Sequence, residues 1–362
     1  MSQAVTVAPR PTRGATRVTP INIFLWTLRI LALGVILYGS YVSISSGRLS
    51  AAQWRDLLVF GLSTGSVFAL IALGYTMVYG VLRFINFAHG EVFMVGGVVA
   101  FYVANGLATT SLWVASPILA LVIVLVSAMV TSTSVAVIVE RIAYRPLRNA
   151  PRLIPLITSI GASFTLQYLV RGLVGPSTKA FPRMELLRGT MNIGGLVILR
   201  SQVVVIVAAL VTMVGLYLFV ERTRTGKSMR AVAEDPETAA LMGIDVNGTI
   251  VKVFAVGGAM AGVAGGLWGL VFPSINFFSG FLPGIKAFTS AVLGGIGNIL
   301  GAMLGGVSLG IFESVGPSLV LAGYNIPAFS QLKDVVAYAA LVLVLIFRPT
   351  GILGERLAQE RG

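Results

Sequence analysis

The chain has 362 residues, of which 56% are hydrophobic and only 11% are charged, and it contains no cysteine. Soluble domains carry about 25% charged residues, so this composition excludes an ordinary water-soluble protein and indicates an integral membrane protein. The lack of cysteine excludes disulfides and thiolate metal sites, and the net charge of +13 fits basic loops between membrane spans better than nucleic-acid binding.

The apolar runs, taken in chain order, predict an all-α polytopic membrane bundle of about eight transmembrane helices. Most runs reach the ~20 residues that cross a bilayer, and the third is short unless it begins within the preceding loop. Residues 1–20 are predicted to form a disordered cytoplasmic tail, residues 21–348 the transmembrane domain, and residues 349–362 a second cytoplasmic tail. The predicted spans are Phe24–Ser45, Leu57–Gly80, Glu91–Ala104, Leu112–Val139, Leu153–Val174, Ser201–Val220, Ile250–Phe272 and a last span ending at Phe347.

The stretch FINFAHGEVFMVGG (Phe84–Gly97) holds the only histidine of the chain between two apolar runs. Asn86 is suited to cap the following helix, and Gly90 permits a sharp local bend. His89 and Glu91 fall at the end of a span, where water can reach. These residues favour a structural polar cluster at the helix start. The second alternative is a role in gating or lining a solute path. Metal binding or catalysis is the least favoured.

The largest cytoplasmic loop, residues 221–249, predicts one short helix. Asp235 is suited to the N-cap and Pro236 to the first helical position, while Gly243 is a natural C-terminal stop. A helix of about two turns is unstable alone in water, so it must dock on other loops of the chain or on a partner. Its small apolar side chains suit a groove on a partner.

Within residues 253–332 the only charged side chains are Lys286 and Glu313, and both are expected near an interface or a polar cavity. The positive-inside rule predicts that both termini are cytoplasmic, with 17 of the 26 basic residues inside and nine outside. The basic loop Gly175–Arg200 runs against this bias. Since two cytoplasmic termini require an even number of spans, Ala287–Gly306 is expected to form a broken or re-entrant element that opens at Gly294–Asn298.

Glycine is abundant, with 42 residues where average usage gives roughly 25. Many are spaced by four, which places them on one helix face and lets two backbones approach closely. This pattern favours packing within the chain over a seam between subunits. The sets are Gly61/Gly65, Gly258/Gly262/Gly266, Gly297/Gly301/Gly305 and Gly306/Gly310.

Two short segments resemble each other. FINFAHG (Phe84–Gly90) and SINFFSG (Ser274–Gly280) share the pattern I-N-F-x-x-G. In the predicted topology the first lies at the cytoplasmic end of a span and the second at the external end, as in transporters built from inverted repeats. So few matching positions favour chance over a repeat.

The sequence does not contain the enzyme motifs that its residues first suggest. Gly226-Lys227-Ser228 resembles the end of a phosphate-binding loop, but Glu221 stands where that motif needs its first glycine. A single histidine excludes the paired-histidine motif of zinc proteases. Because few ionisable residues lie in the spans, the sequence does not favour a proton-coupled carrier. The chain is expected to be a conduit without catalytic residues, metal or cofactor, and without its own energy source.

Several separated stretches resemble one family in order along the chain. ALGYTMVYGVLRFINFAHGEVFMVGG and RTGKSMRAVAEDPETAALMGI closely resemble the permease subunits of branched-chain amino-acid ABC importers, the LIV type. The stretches GGIGNILGAMLGG and FRPTGILG are similar as well, so the resemblance runs from about Asp56 to Gly354. It implies a second homologous permease subunit, two cytoplasmic ABC ATPases and an extracytoplasmic substrate-binding protein, in the plasma membrane of a bacterium or archaeon.

The resemblance also implies which residues act. ABC importer permeases carry a loop motif E-A-A-x-x-x-G that seats on the ATPase, and Glu237 to Gly243 fit it with Thr238 in place of the middle alanine. The usual downstream I-x-L-P is missing, and Val253-Phe254-Ala255-Val256 stands in its place. The ATPase-coupling residues are expected to be Glu234, Asp235, Glu237, Ala239, Ala240 and Gly243. The path or gate residues are expected to be Asn86, His89, Glu91, Gly294, Gly297 and Asn298.

Two alternatives stay open at this point. A permease for urea or short amides belongs to the same importer type, and the sequence does not separate it from a branched-chain amino-acid permease. A stand-alone secondary carrier or channel would need neither ATPases nor a binding protein. An intramembrane enzyme would need polar residues converging at one depth, and the spacing shows no such set.

Overall fold

A computed structural model describes residues 20–148, 150–151, 153–193 and 196–354. The predicted tails therefore lie largely outside the described residues. The helices are α1 Pro20–Ser45, α2 Ala51–Leu82, α3 His89–Ala108, α4 Leu112–Ala115, α5 Pro117–Val139, α6 Leu153–Val174, α7 Arg200–Arg222, α8 Arg224–Glu234, α9 Pro236–Leu241, α10 Val246–Val271, α11 Phe281–Gly294, α12 Ile299–Gly316 and α13 Lys333–Phe347. The strands are β1 Lys179–Ala180, β2 Thr190–Ile193, β3 Leu196–Leu199 and β4 Ser274–Ile275.

The strands are minor additions to a helical bundle. β2 and β3 form an antiparallel hairpin, and β1 pairs antiparallel with β4. Within the described ranges, nine helices are long and apolar enough to cross a membrane. The predicted all-α polytopic class is confirmed. The predicted third span does begin within the preceding stretch, at His89.

The count of long helices is one higher than the predicted eight, because the segment expected as one broken element belongs to two helices. The chain breaks at residues 295–298, inside the predicted opening, but α12 then continues through π and 3-10 turns to give an apolar helix over Ile299–Tyr324. The preceding α11 is short, with 14 residues. The described residues thus form nine long apolar helices and the shorter α11, and the cytoplasmic location of both termini stays a prediction.

Two central helices, α2 and α10, carry the core, and glycine is the reason that their neighbours come so close. On α2, Gly65 lies against α12, and a Cβ there would stand 2.9 Å from the carbonyl oxygen of Gly306. On α10, Gly262 lies against α5, and a Cβ there would stand 2.6 Å from the Cα of Met129. These contacts confirm that the glycine faces of α2 and α10 pack within the chain, whereas Gly297 lies in the break before α12 and a Cβ there would meet nothing described within 4 Å.

The bundle contains two matching units. We call α2, α3 and α5 the first repeat, and α10, α11 and α12 the second repeat. The interfaces of α2 with α12 and of α10 with α5 are the most extensive in the bundle, and α3 packs on α5 as α11 packs on α12. Arg83 at the end of α2 bonds to α8, and α10 begins soon after α8 and α9 in the chain, so the two repeats run in opposite directions.

Candidate functional site

The loop between α2 and α3 folds back into the bundle. Arg83 adopts a left-handed conformation (φ 56°) that ends α2, and α3 begins where the His89 ring packs edge-on against Tyr75, with ring centroids 4.9 Å apart. Tyr75 lies seven residues before the end of α2, about 10 Å along the helix axis. His89 and Glu91 are consequently buried, with 2% and 1% exposure. The expectation that water reaches them is wrong, because α3 starts well inside the end of α2.

Asn86 does not cap α3, which corrects the second expectation for this loop. Its side-chain oxygen accepts a hydrogen bond of 2.5 Å from the Tyr144 hydroxyl. The main-chain carbonyl of Asn86, rather than its side chain, accepts the N–H of His89 at 3.2 Å. The partner of Asn86 lies 58 residues away in sequence, beyond the reach of a local capping pattern.

A polar stripe on α6 faces the same loop, and sequence reasoning missed it. Gln167 donates to Glu91 Oε1 at 2.8 Å, and the Ser163 hydroxyl donates to the same oxygen at 3.4 Å. One turn earlier, Ser159 donates to the carbonyl of Ile85 at 3.2 Å. The three polar residues are spaced by four on an apolar helix, and this periodicity was the available signal for a shared inward face.

The two I-N-F segments meet at the centre of this region. Gly90 lies within α3 and shows no bend; instead its backbone touches the start of α11. A Cβ on Gly90 would stand 2.6 Å from the Gly280 carbonyl oxygen and 2.9 Å from the Gly284 Cα. We call this contact the glycine crossing. Because the two segments occupy matching positions in the two repeats, the structure favours an inverted repeat over a chance resemblance.

The glycine crossing brings two helix N-termini together around one carboxylate. α3 begins at His89 and α11 at Phe281, and each helix start carries partial positive charge that favours a nearby anion. Glu91 Oε2 has no hydrogen-bond partner among the described residues and faces Gly280, where a Cβ would stand 2.5 Å from it. The crossing therefore joins the two repeats through backbone contact beside one buried carboxyl group.

The break between α11 and α12 is built from glycine and a cap. Gly295 and Gly297 have φ values of +107° and +96°, and Asn298 caps α12 by accepting the N–H of Gly301 at 2.9 Å. Asn298 also donates to the carbonyl of Leu353 at 3.1 Å. A Cβ on Gly297 would meet nothing described within 4 Å. A side chain at Gly297 would therefore act through backbone strain rather than through a clash with a neighbouring helix.

The C-terminal residues close the break from the other side. Ile352 and Leu353 donate their N–H groups to the carbonyls of Leu293 and Gly294, each at 2.9 Å. These carbonyls stand at the end of α11, where the helix itself supplies no partners. Part of the segment predicted as a cytoplasmic tail is therefore a fixed piece of the bundle.

The loop 221–249 forms the predicted short helix, here α9, preceded by a second helix, α8. Asp235 caps α9 by accepting the N–H groups of Glu237 at 2.9 Å and Thr238 at 3.2 Å. Pro236 is its first residue. The hydrogen bonds from Thr238 lower the pKa of the exposed Asp235 carboxyl. The predicted cap and start are confirmed.

The end of α9 is equally well defined. Gly243 has a φ of +80°, its N–H reaches the carbonyl of Ala240 at 3.0 Å, and the N–H of Ile244 reaches that of Ala239 at 3.1 Å. This pair of bonds is the Schellman arrangement that stops helices at glycine. The predicted stop at Gly243 is confirmed.

The exposed face of α9 differs from the expected one. Ala239 is buried at 4% exposure, whereas Leu241 and Met242 are 87% and 79% exposed. Ala239 therefore packs α9 onto the bundle, and the larger apolar side chains point outward. The other expected coupling residues, Glu234, Glu237 and Ala240, are exposed.

The helices α8 and α9 are tied to the bundle near the loop described above. The Arg83 guanidinium at the end of α2 donates to the carbonyl of Ala233 at 2.8 Å, and α10 packs on both short helices. We call this part of the molecule the coupling end. α9 thus contacts one central helix, α10, and α8 contacts both α2 and α10.

The two isolated charges of the last third pair with each other. Lys286 Nζ lies 2.8 Å from Glu313 Oε1, beside a cavity lined by both residues. A cavity beside these charges was expected, although its other walls are largely apolar and the pairing of residues on different helices was not predicted.

A family model described as "Branched-chain amino acid transport system / permease component" matches residues 57–345. The chain belongs to this family. It is 47% identical over 306 residues to the high-affinity branched-chain amino acid transport system permease protein BraD of Pseudomonas aeruginosa, covering 84% of this chain and 96% of that protein. It is 42% identical over 305 residues to the corresponding LivH protein of Escherichia coli, covering 82% of this chain and 94% of that protein.

A more distant relative is the probable branched-chain amino acid transport permease protein LivM of Methanocaldococcus jannaschii. It is 29% identical over 154 residues, covering 39% of this chain and 43% of that protein. These relatives confirm the resemblance seen in the sequence. Together with the nine apolar helices among the described residues, they make the chain a multi-pass membrane permease for transport.

Proposed function

We propose that the chain is one permease subunit of an ABC importer and forms half of the translocation pathway for branched-chain or similar apolar amino acids. It is itself non-catalytic, and two cytoplasmic ABC ATPases hydrolyse ATP. A second, homologous permease completes the pathway, and an extracytoplasmic binding protein delivers the solute. The complex lies in the plasma membrane of a bacterium or archaeon.

The observation that carries this proposal is the exposed end of α9. Leu241 and Met242 are apolar, almost fully exposed, and held by a helix with a cap at each end. Apolar side chains presented this way suit a groove on a partner protein. Since the same helix packs on α10, and α8 is bonded to the end of α2, a partner bound there can move both repeats.

The chain is similar to a LivH permease and also to a LivM permease. These two kinds of permease are therefore related to each other, which supports a complex that contains two homologous permeases. The scarcity of ionisable side chains in the central helices suits a cargo without net charge, such as an amino acid with an apolar side chain. A urea or short-amide permease of the same importer type remains the second candidate for the cargo, and a stand-alone carrier is the alternative that excludes partners altogether.

The test is purification of the tagged chain from cells that express its whole transport system. Wild type should retain two ATPases, and reconstituted complex should take up leucine only with ATP and binding protein. The double variant Leu241→Ser/Met242→Ser should lose ATPase retention by about tenfold or more, because burying these side chains drives docking.

The matched control is Leu186→Ser, which removes an exposed leucine (43% exposed) from the loop between α6 and α7, away from the coupling end. It should leave ATPase retention unchanged. Uptake of urea in place of leucine would show that the cargo is urea or a short amide. Accumulation of leucine by the chain alone would overturn the ABC assignment.

A further inference from the structure

A balanced charge cluster lies where α11, α12 and α13 meet, outside the coupling end. Lys286 on α11 is 2.8 Å from Glu313 on α12 and 2.7 Å from Asp334 at the start of α13. Lys333 approaches Glu313 to 3.5 Å. Two positive and two negative side chains therefore meet at the junction of three helices.

The cluster has a buried half and an open half. Lys286 and Glu313 are 7% and 9% exposed, while the side chains of Asp334 and Lys333 are 41% and 47% exposed. Glu313 Oε2 is buried and has no hydrogen-bond partner among the described residues. A buried ion pair is often no more stabilising than apolar residues of similar volume, so stability alone gives little reason to keep these charges.

The cluster forms one wall of a cavity of about 360 Å³, within the range of roughly 300–1,000 Å³ found for small-molecule sites. Aromatic rings form much of the rest: Phe68 on α2, Trp268 and Phe272 at the end of α10, and Phe278 before α11. Phe68 also lies under the Lys286 ammonium, 5.7 Å from its ring centroid. The cavity thus offers an apolar surface beside charges of both signs.

The second repeat carries these residues and the first does not. Lys286 lies six residues after Gly280, and the residue six after Gly90 is Gly96. Trp268 lies seven residues before Ile275, and the residue seven before Ile85 is Val78. Because the first repeat folds without a lysine and a tryptophan at these positions, the architecture does not require them.

We propose that this cavity is a binding site for a zwitterionic apolar amino acid on its way into the permease. The Lys286 and Lys333 ammonium groups take the ligand carboxylate, Glu313 and Asp334 take its ammonium group, and the aromatic wall takes its side chain. The proposal rests on the proposed function, since it assigns that cargo a place in this chain. A neutral cluster suits a ligand that is itself neutral overall.

The experiment uses the assembled complex in lipid nanodiscs, with leucine as the probe and tryptophan fluorescence as the binding signal. Leucine should change the fluorescence of the wild type, and Trp268→Phe should remove the change, because Trp268 lines the cavity. Isopentylamine lacks the carboxylate and 4-methylpentanoate lacks the ammonium group. Each should bind at least about tenfold more weakly than leucine.

The decisive variant is Lys286→Met/Glu313→Met, which removes both buried charges while keeping side-chain bulk. It should assemble and retain ATPases like wild type, yet raise the leucine KM for uptake at least about tenfold and lose the fluorescence change. The control Glu185→Gln breaks an exposed ion pair with Arg188 and should leave both readouts at wild-type values.

Two failures are distinguishable. If the double variant assembles and keeps the wild-type KM and fluorescence response, the cavity is not the amino-acid site, while the importer function stands. If the wild-type complex neither transports nor responds to any branched-chain amino acid, the proposed function itself fails. Equal binding of leucine and its two single-charge analogues would also overturn the zwitterion site.

Discussion

The first repeat (α2, α3 and α5) and the second repeat (α10, α11 and α12) place the same I-N-F-x-x-G segment before a helix but surround it differently. In the first repeat, Asn86 and Glu91 are buried and bonded to distant helices. In the second, the side-chain oxygen of Asn276 accepts bonds from its own turn, from Phe278 N–H at 2.9 Å and the Ser279 hydroxyl at 3.0 Å. The shared glycines allow the same backbone contact in both repeats. In the first repeat, the bonds of Asn86 and Glu91 hold distant helices together, and we call this arrangement the clamp. In the second repeat, Asn276 lines an open cavity.

The strongest test of the shared backbone is to fill the glycine crossing from each side. Gly90→Leu and Gly280→Leu should both prevent folding, since each puts a side chain into backbone of the other repeat; overpacking a tight core costs about 1–3 kcal/mol or more. The measurement is the yield of monodisperse protein by size-exclusion chromatography. Gly106→Leu on α3 is the control, because a Cβ there meets nothing described within 4 Å. If only one crossing variant misfolds, the two repeats are not equivalent there.

The clamp of the first repeat should matter more for stability than the turn of the second. Tyr144→Phe leaves the buried Asn86 oxygen without its donor, at a cost of about 1–3 kcal/mol. Asn276→Ala removes local bonds in a turn that water reaches, at a cost of about 1 kcal/mol or less. The measurement is the midpoint of thermal unfolding in detergent. A larger shift for Asn276→Ala would reverse the assignment of clamp and cavity.

The repeats also differ in how their last two helices connect. The first repeat uses Thr109–Ser116, which contains the short helix α4, whereas the second uses four residues that include Gly297 in a left-handed conformation. Gly297→Ala should destabilise the fold by about 1 kcal/mol through backbone strain alone. Gly80→Ala, at an open position on α2, is the control, and equal unfolding midpoints for the two variants would exclude strain at the break.

The smallest effect concerns α9, in the segment that joins the two repeats. The pKa of Asp235 is lowered by hydrogen bonds from Thr238, so the cap contributes fully above the usual aspartate pKa of about 3.9 and is lost as the pH falls through the lower folded-state value. Hydrogen-exchange protection of residues 237–241 should therefore hold at pH 5 and decline only below about pH 3.9. Asp235→Asn keeps a capping oxygen and should show no such decline. An unchanged decline in that variant would assign it to another group.

Features set by local chemistry could be predicted from the sequence. The spans follow from the thickness of a bilayer, and the predicted Leu153–Val174 matches α6 at both ends. The start and stop of α9 were also predictable, because Asp235 and Gly243 act on groups within a few residues of themselves.

Features set by distant partners could not be predicted. Asn86 pairs 58 residues away and Glu91 pairs 76 residues away. The local pattern therefore predicted a helix cap at Asn86 and a water-accessible carboxylate at Glu91, and both predictions are wrong. Lys286 and Glu313 were singled out by their isolation in an apolar region, but the sequence could not show that two helices bring them together. The second I-N-F segment could be interpreted as part of an inverted repeat only from the contact between Gly280 and Gly90 in the structure.

The bonds from Ile352 and Leu353 to the end of α11 have a consequence for biogenesis. These donors follow α13 in the chain, so α11 leaves the ribosome well before the groups that complete its last turn. During synthesis its terminal carbonyls must be satisfied by water or by the insertion machinery. The second repeat therefore reaches its final form only after the segment that follows α13 has been made.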